Sequence, residues 1–293
     1  MSLLAHLGAV VSPVFLIALA GYAWVRLGRS FDQEFVTHLV TRIGAPCLVF
    51  DTLVKINLPA AELVRMGGAT IACLVLFAVI GAIGLRLAGL KLRVYLPSLV
   101  FPNIGNMGLP VCLFAFGQRG LALAMIYFTV CSVGQFAFGP AMAAGRFRLG
   151  LLVRMPLLYA AVAGVALGAA GFVQPRWLAN TLDLLGQVTI PLMLLALGAA
   201  LAQLRLAGWP RQLAVSAARL GLGAAGGWLV ATALGLTGEA KGVVVVESAM
   251  PVAVFNYLFA RLYGEAPEEV AGLVLGSTVL SAAVLPGVIA LLL

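Results

Sequence analysis

Long apolar runs are the feature of this sequence that most restricts its fold. Ten runs of roughly 18 to 25 residues, each with few charges, follow one another between short polar breaks. As a helix, about 20 apolar residues cross the hydrocarbon core of a bilayer. Hydrophobic residues make up 63% of the chain and charged residues 10%, against about 45–50% and about 25% in soluble domains. We therefore expect an all-α polytopic membrane protein.

Charged residues, prolines and glycines bound the ten predicted transmembrane spans. The spans cover residues 9–26, 35–54, 64–88, 94–117, 120–142, 155–173, 180–203, 212–235, 241–263 and 269–291. The short loops between them leave no room for a sizeable soluble domain.

Proline spacing predicts that the ten spans form two related halves. Pro46 in span 2 and Pro191 in span 7 are 145 residues apart, and Pro140 and Pro286, near the ends of spans 5 and 10, are 146 apart. The most polar break, at 145–150, lies close to the midpoint. We expect a five-helix repeat at 1–145 and a second at 146–293. Because five is odd, the second repeat is inverted, as in many secondary transporters.

The loop charges predict the orientation in the membrane. The loops after the odd-numbered spans carry Arg26, Arg29, Arg86, Lys91, Arg93, Arg146, Arg148, Arg154, Arg205, Arg211 and Arg261. The opposite side carries Lys55, Arg65, Arg119, Arg176 and Lys241. Cytoplasmic loops are enriched in Lys and Arg, so both termini are predicted on the non-cytoplasmic side of the cell membrane. Arg42 and Arg219 lie within spans, and we expect both to snorkel to the cytoplasmic surface.

Span 4 contains a polar interruption, Phe101-Pro-Asn-Ile-Gly-Asn-Met-Gly-Leu-Pro110. Pro102 removes a backbone hydrogen bond and frees a carbonyl. Unwound backbone at membrane depth is tolerated where it is buried in protein or lines a wet cavity. Asn103 and Asn106 can offer amide groups to a solute there. The alternative is a kinked helix whose asparagines cap its neighbours.

Span 9 carries a second interruption, together with an acid. Glu247 lies six residues into a nearly uncharged run and four residues before Pro251. An acid in the membrane costs at least about 2.5–3.5 kcal/mol and indicates a functional site. Glu247 is therefore a candidate for binding a coupling cation or a proton. The alternatives are an ion pair or a position close enough to the outer surface to stay wet.

Span 5 presents polar side chains on one helical face at Thr129, Ser132 and Gln135. Together with Asn103 and Glu247 they are candidates for an oxygen cage around a small cation such as Na⁺. The equally weighted alternative is that they hold helices together, as polar side chains often do in membranes.

The sequence contains no GxSxG, HExxH or Walker loop, and no GxGxxG that follows a strand. We therefore predict no enzyme activity and no cofactor beyond a possible coupling ion, Na⁺ or H⁺. The net charge of +8 lies in short loop runs, which membrane orientation explains better than a nucleic-acid partner.

Spans 4 and 9 resemble the auxin efflux carrier family, which includes bacterial malonate-type permeases. The resemblance rests on Phe-Pro102-Asn103, Gly108-Leu-Pro110, Ser248-Ala-Met-Pro251 and Asn256-Tyr-Leu-Phe-Ala-Arg261. It implies that Pro102 and Pro251 are the prolines of two crossing broken helices. It also implies substrate contacts near Asn103, with Asn106, Val252 and Asn256 as further candidates.

The resemblance also implies an architecture and a mechanism. The fold would be that of sodium/proton antiporters and bile-acid symporters. Spans 1, 2, 6 and 7 would form a scaffold that makes a homodimer, and spans 3–5 with 8–10 a transport domain that moves as an elevator. The predicted function is a secondary transporter of a small organic anion such as a mono- or dicarboxylate, coupled to Na⁺, to H⁺ or to neither. The alternative is a channel or a non-transporting sensor on the same fold.

Overall fold

The computed structural model describes residues 3–56, 58–144, 154–204 and 209–292. These residues form helices joined by short turns, and the one exception among them is an isolated β-bridge. The midpoint loop at 145–150 and the loop residues Arg146, Arg148 and Arg205 lie outside the described ranges. For the described part of the chain, the prediction of an all-α protein is confirmed.

The α-helices are named α1 to α13 in chain order. They are α1 (Leu3–Arg26), α2 (Gln33–Leu39), α3 (Ala45–Ile56), α4 (Ala60–Leu87), α5 (Leu92–Val100), α6 (Leu109–Ala144), α7 (Pro156–Ala169), α8 (Arg176–Gln187), α9 (Thr189–Gln203), α10 (Trp209–Ala233), α11 (Gly238–Ser248), α12 (Val254–Tyr263) and α13 (Pro267–Ala290). A first π-helical turn (Val40–Gly44) precedes α3, and a second (Ile104–Gly108) precedes α6. Within α6, Gly117 has a φ of 66° and interrupts the helix.

Six helical segments of the described chain are long and apolar enough to cross a bilayer. They are Leu7–Arg26, Ala60–Leu87, Ile104–Met142, Arg176–Gln203, Pro210–Ala233 and Pro267–Ala290. Large apolar side chains such as Leu19, Ile71, Val79 and Val279 are exposed on them, which indicates contact with lipid. The prediction of a multi-pass membrane protein is confirmed, whereas the count of ten spans stays a prediction.

Several predicted spans are built from short or broken helices. Span 2 contains α2, the first π turn and α3, and span 6 contains only α7. Span 4 contains α5, the second π turn and the start of α6, while span 9 contains α11 and α12. Membrane-spanning length alone would not find spans 2, 6 and 9, because no single helix in them is long enough.

Prolines explain where both π turns lie. The first π turn ends two residues before Pro46, and the second ends two residues before Pro110. A proline inside a helix has no N–H for the carbonyl four residues earlier, and its ring clashes with that carbonyl. Widening the preceding turn to a π turn relieves the clash without ending the helix. The widened turn before Pro110 contains Asn106, within the polar sequence.

Glycines allow one group of helices to pack closely. Helix α1 packs along α9, where a Cβ at Gly198 would fall on the Ala18 carbonyl oxygen and a Cβ at Gly21 on the Leu195 carbonyl oxygen. Helix α3 packs along α7, where a Cβ at Gly168 would lie 3.0 Å from the Leu53 carbonyl oxygen. Small residues that let helix backbones approach are typical of membrane interfaces.

A second group of helices packs around the broken ones. Helix α10 packs along α11 and α13, and α4 packs along α5 and α6. Gly223 of α10 lies directly against the Ser248 carbonyl at the end of α11. Both helix interruptions therefore contact helices of this second group, and the second π turn also contacts α9.

We predict that Gly198→Ala destabilises the protein. The added methyl group has no room at the α1–α9 contact, and overpacking of this kind costs about 1–3 kcal/mol. Thermal unfolding in detergent should show a lower midpoint. Gly68→Ala in α4 is the matched control, because no atom lies within 4 Å of the added Cβ. A midpoint for Gly198→Ala equal to that of the control would contradict the close packing.

Candidate functional site

The interruptions at Pro102 and Pro251 lie against each other. Pro102 and Val252 form an antiparallel bridge. The Asn103 N–H donates to the Pro251 carbonyl at 2.7 Å, and the Ala253 N–H donates to the Phe101 carbonyl at 3.3 Å. Pro102 and Pro110 lie 149 and 141 residues before Pro251, so proline spacing alone does not select one of them, whereas the family resemblance implies Pro102. In the structure, Pro102 lies in the bridge and Pro110 lies within α6.

Side chains form hydrogen bonds with further backbone N–H and C=O groups at the two interruptions. The Val252 N–H donates to the Ser277 hydroxyl at 3.0 Å. The Asn256 amide donates to the Phe101 carbonyl at 3.1 Å and accepts from the Gln135 amide at 3.4 Å. Asn256 therefore holds the interruption in place, with its amide already engaged.

A cavity of about 480 Å³ opens beside the bridge. Five predicted site residues line it: Pro102, Asn103, Asn106, Ser132 and Gln135. The Asn103 side chain is buried, and its Nδ2 has no hydrogen-bond partner among the described residues. A buried amide without a partner costs free energy, which a bound acceptor would recover. This N–H group is the strongest indication of a solute site.

The rest of the cavity lining was not predicted. Phe128, Phe136 and Phe255 supply aromatic walls, and Met193 of α9 closes the far side. Isolated aromatic residues in an apolar run carry no signal that separates cavity walls from lipid contacts. Arg42 and Arg154 are exposed at the cavity mouth.

A second cavity of about 440 Å³ lies next to the first. The two share Asn106, Met193 and Phe255, together with residues Thr37 to Thr41 of α2 and the first π turn. The second cavity extends toward Gln203 and Arg261. Asn106 therefore lies where both cavities meet.

The remaining predicted site residues lie outside the cavity lining. Pro251 and Val252 are buried in the bridge itself. The Thr129 hydroxyl donates to the Met125 carbonyl of its own helix at 2.8 Å. Glu247 lies behind the second π turn. The groups proposed for an oxygen cage are thus distributed over separate places: Ser132, Gln135 and Asn103 at the cavity, Thr129 on its own helix, and Glu247 behind the wall.

Glu247 is fully buried at the end of α11. Its carboxyl group packs against Gly108, where a side chain would collide with it. One carboxyl oxygen accepts from the Cys112 thiol at 3.8 Å. The other, Oε2, has no hydrogen-bond partner among the described residues. No ion pair with Glu247 is present in that part of the chain, so the paired and surface-wet alternatives are not supported.

The prediction that Arg219 snorkels to the surface is wrong. Its side chain is fully buried, with the guanidinium carbon 5.1 Å from the centre of the Phe77 ring. Nη1 donates to the Leu99 carbonyl at 3.0 Å and Nη2 to the Ser248 carbonyl at 2.7 Å. Both carbonyls are near the C-terminal ends of broken helices, where no further turn supplies donors. Arg42, by contrast, is exposed, as predicted.

The sequence pattern that indicated a buried, functional position for Glu247 also applies to Arg219. Both are single charges in apolar runs, and such residues usually face the protein interior. Arg219 was assigned to the surface only because a short distance to the cytoplasmic end allowed it.

Comparison with known proteins identifies the family. The model of the family described as "Membrane transport protein" matches residues 7–138 and 141–289. This chain belongs to that family. The match confirms the family resemblance predicted from spans 4 and 9.

Two relatives match over most of their length. One, from Rhizobium meliloti and named "Putative malonate transporter", is 27% identical over 319 residues, covering 99% of this chain and 97% of the relative. Another, from Methanocaldococcus jannaschii and named "Uncharacterized transporter", is 25% identical over 274 residues, covering 87% of this chain and 88% of the relative. Family and names indicate a membrane transport protein rather than an enzyme.

We predict that Arg219→Met lowers stability substantially. Two buried carbonyl oxygens lose their donor, at a cost on the order of 3 kcal/mol. The thermal midpoint in detergent should fall by roughly 5–10 °C. Arg86→Met, at an exposed position of α4, is the matched control. An unchanged midpoint for Arg219→Met would show that the guanidinium does not stabilise the broken helices.

Proposed function

We propose that this membrane transport protein is a secondary active carrier of a small organic anion, a mono- or dicarboxylate, working by alternating access. The observation that carries the proposal is the unpartnered Asn103 amide at the wall of the cavity between the broken helices. The second π turn and α12 both begin beside that cavity. Helix N-termini present free N–H groups and a positive dipole end, which favour a carboxylate.

The charges around the cavity support an anion over a cation. Among the described residues that line the larger cavity there is no Asp or Glu. Arg42 and Arg154 lie at its mouth, and a cleft lined by one sign of charge concentrates ions of the opposite sign. Besides the aromatic walls, the cavity offers side-chain amides, hydroxyl groups and helix N-termini as polar groups that would orient a carboxylate.

The proposal includes a five-plus-five inverted repeat of ten spans, divided at 145/146. Glycines with positive φ support it: Gly28 and Gly171 are 143 residues apart, Gly89 and Gly235 are 146 apart, and Gly117 and Gly264 are 147 apart. All six lie at or near helix ends or breaks. This spacing agrees with the 145 and 146 residues that separate the paired prolines.

The proposal also assigns a scaffold and a moving domain. The glycine-packed group of α1, α3, α7 and α9, together with α8, which packs against α3, would be the scaffold, and the group around the broken helices would be the transport domain. The cavity supports an elevator motion because it is lined both by the breaks and by α9. Since Arg42 and Arg154 mark the cytoplasmic side, the proposed state is inward-facing, with both termini outside the cell membrane.

The proposal further includes a homodimer that forms through the scaffold helices. Trp177, Leu184 and Val188, on and just after α8, are exposed and apolar, so they can face a second copy or lipid. Mass measurement of the detergent-purified protein would separate a dimer from a monomer.

Uptake into proteoliposomes tests the proposed function. Radiolabelled malonate is the first probe, because one relative bears the name of a malonate transporter, and acetate and benzoate extend the panel. A carrier gives saturable uptake that is stimulated by unlabelled anion on the opposite side. Flux that rises linearly with concentration would indicate a channel, and no flux of any probe would leave a non-transporting sensor.

We predict that Asn103→Ala raises the KM for the transported anion about tenfold or more. A hydrogen bond to a charged group contributes about 1.5–3 kcal/mol, and Nδ2 has no partner among the described residues that could replace the anion. Asn180→Ala is the matched control, on an exposed position of α8. If Asn103→Ala transports with the KM of the control, the cavity beside the bridge is not the anion site.

A further inference from the structure

A buried acid lies directly behind the wall of the anion cavity. The second π turn forms that wall: Ile104, Gly105 and Asn106 face the cavity, while Gly108 packs against the carboxyl group of Glu247. An anion in the cavity and the carboxyl group of Glu247 would therefore occupy opposite sides of one turn of backbone.

The surroundings of Glu247 do not suit a metal cation. Na⁺ is held by several oxygen ligands, and the neighbour that donates to Glu247 is the thiol of Cys112. Ser132 and Gln135 line the cavity, and Thr129 bonds its own helix. No group of three or more His, Cys, Asp or Glu residues with metal-binding geometry occurs among the described residues.

The charged and titratable groups near Glu247 also leave it without a counter-ion. Cys112, Tyr127 and Cys131 face it from α6, all of them fully buried and ordinarily neutral. Arg219 reaches the same region from α10, but its guanidinium group binds the Leu99 and Ser248 carbonyls. No salt bridge within 4.0 Å joins it to Glu247 in the described structure.

We propose that Glu247 binds the proton that is transported together with the anion. This inference rests on the proposed carrier function and commits its coupling ion to H⁺. When ionised, Glu247 and an anion in the cavity compete for the same positive helix end, where the second π turn leads into α6. One proton converts the carboxylate to a neutral carboxylic acid and removes that competition.

Coupling follows from the reciprocity of linked binding. If a proton on Glu247 strengthens anion binding, then the anion strengthens proton binding by the same factor. The loaded transport domain then crosses with a neutral acid, and the empty domain returns with the carboxylate stabilised by the positive helix end that the anion has left. On the opposite side the anion leaves, and the carboxylic acid releases its proton to water.

The sign of the pH effect separates this account from a purely structural role. In the wild type, anion affinity should rise as the pH falls, because protonation removes the competing charge. Glu247→Gln imitates the protonated acid, so its KM for malonate exchange should be nearly independent of pH. At alkaline pH the variant should bind malonate more tightly than the wild type, and the two affinities should converge as the pH falls.

Proteoliposomes provide both readouts in one preparation. Malonate exchange at equal pH measures the carrier without coupling, and malonate accumulation under an inward proton gradient measures coupling. We expect Glu247→Gln to retain exchange and to lose accumulation about tenfold. Glu239→Gln is the matched control, because Glu239 lies on the same helix, in a partly exposed ion pair with Arg119.

The following outcomes would overturn the inference. One is proton-driven accumulation by Glu247→Gln at the wild-type level, and another is a wild type that is driven by a Na⁺ gradient and not by a proton gradient. Absence of exchange in the wild type would instead reject the carrier function, and this inference with it. If Glu247→Gln does not fold, a pH-sensitive dye inside wild-type liposomes decides: malonate entry must acidify the interior, and unchanged internal pH contradicts the proposal.

Discussion

Bilayer hydrocarbon offers no hydrogen-bond partner to a peptide group, so two helices that unwind at membrane depth must satisfy their backbone inside the protein. Here each interruption supplies partners for the other, through the bridge between Pro102 and Val252. Ser277, Asn256 and Arg219 satisfy further backbone groups of the interruptions. On the side that faces the cavity, the side-chain Nδ2 of Asn103 has no hydrogen-bond partner among the described residues. The candidate site is therefore the part of the interruption where the protein does not itself satisfy a hydrogen-bonding group.

The pairing of the two interruptions also determines where helix dipole ends and charged side chains lie. The C-terminal ends of α5 and α11 carry negative dipole ends, and the Arg219 guanidinium binds a carbonyl of each. The second π turn and α12 begin on the cavity side, so positive ends remain available there. Glu247 lies between these two regions and packs against Gly108. One fixed cation, one ionisable acid and one cavity thus share the backbone of two broken helices, which is why we connect anion binding to protonation.

Sequence reasoning located the interruptions because Pro102, Pro251 and the polar residues around them contradict an ordinary lipid-facing helix. It also predicted the family. Proline spacing alone did not choose between Pro102 and Pro110 as the partner of Pro251, because spacing does not encode which backbone groups pair, and it was the family resemblance that pointed to Pro102. Sequence reasoning placed Arg219 at the surface, since chain position does not show that two free carbonyls lie within its reach. It grouped Thr129 with Ser132 and Gln135 by helical spacing, although the Thr129 hydroxyl bonds its own helix.

The central claim is that the cavity between the two interruptions is where the anion binds. Crystals grown with bromomalonate would locate the bromine by anomalous diffraction, and the carboxylate by its density. The account predicts one carboxylate oxygen within about 2.7–3.2 Å of Asn103 Nδ2, with the bromine in the same cavity toward Phe128 or Phe136. An anomalous peak elsewhere in the protein, with the cavity beside the bridge empty at a saturating concentration, would contradict it.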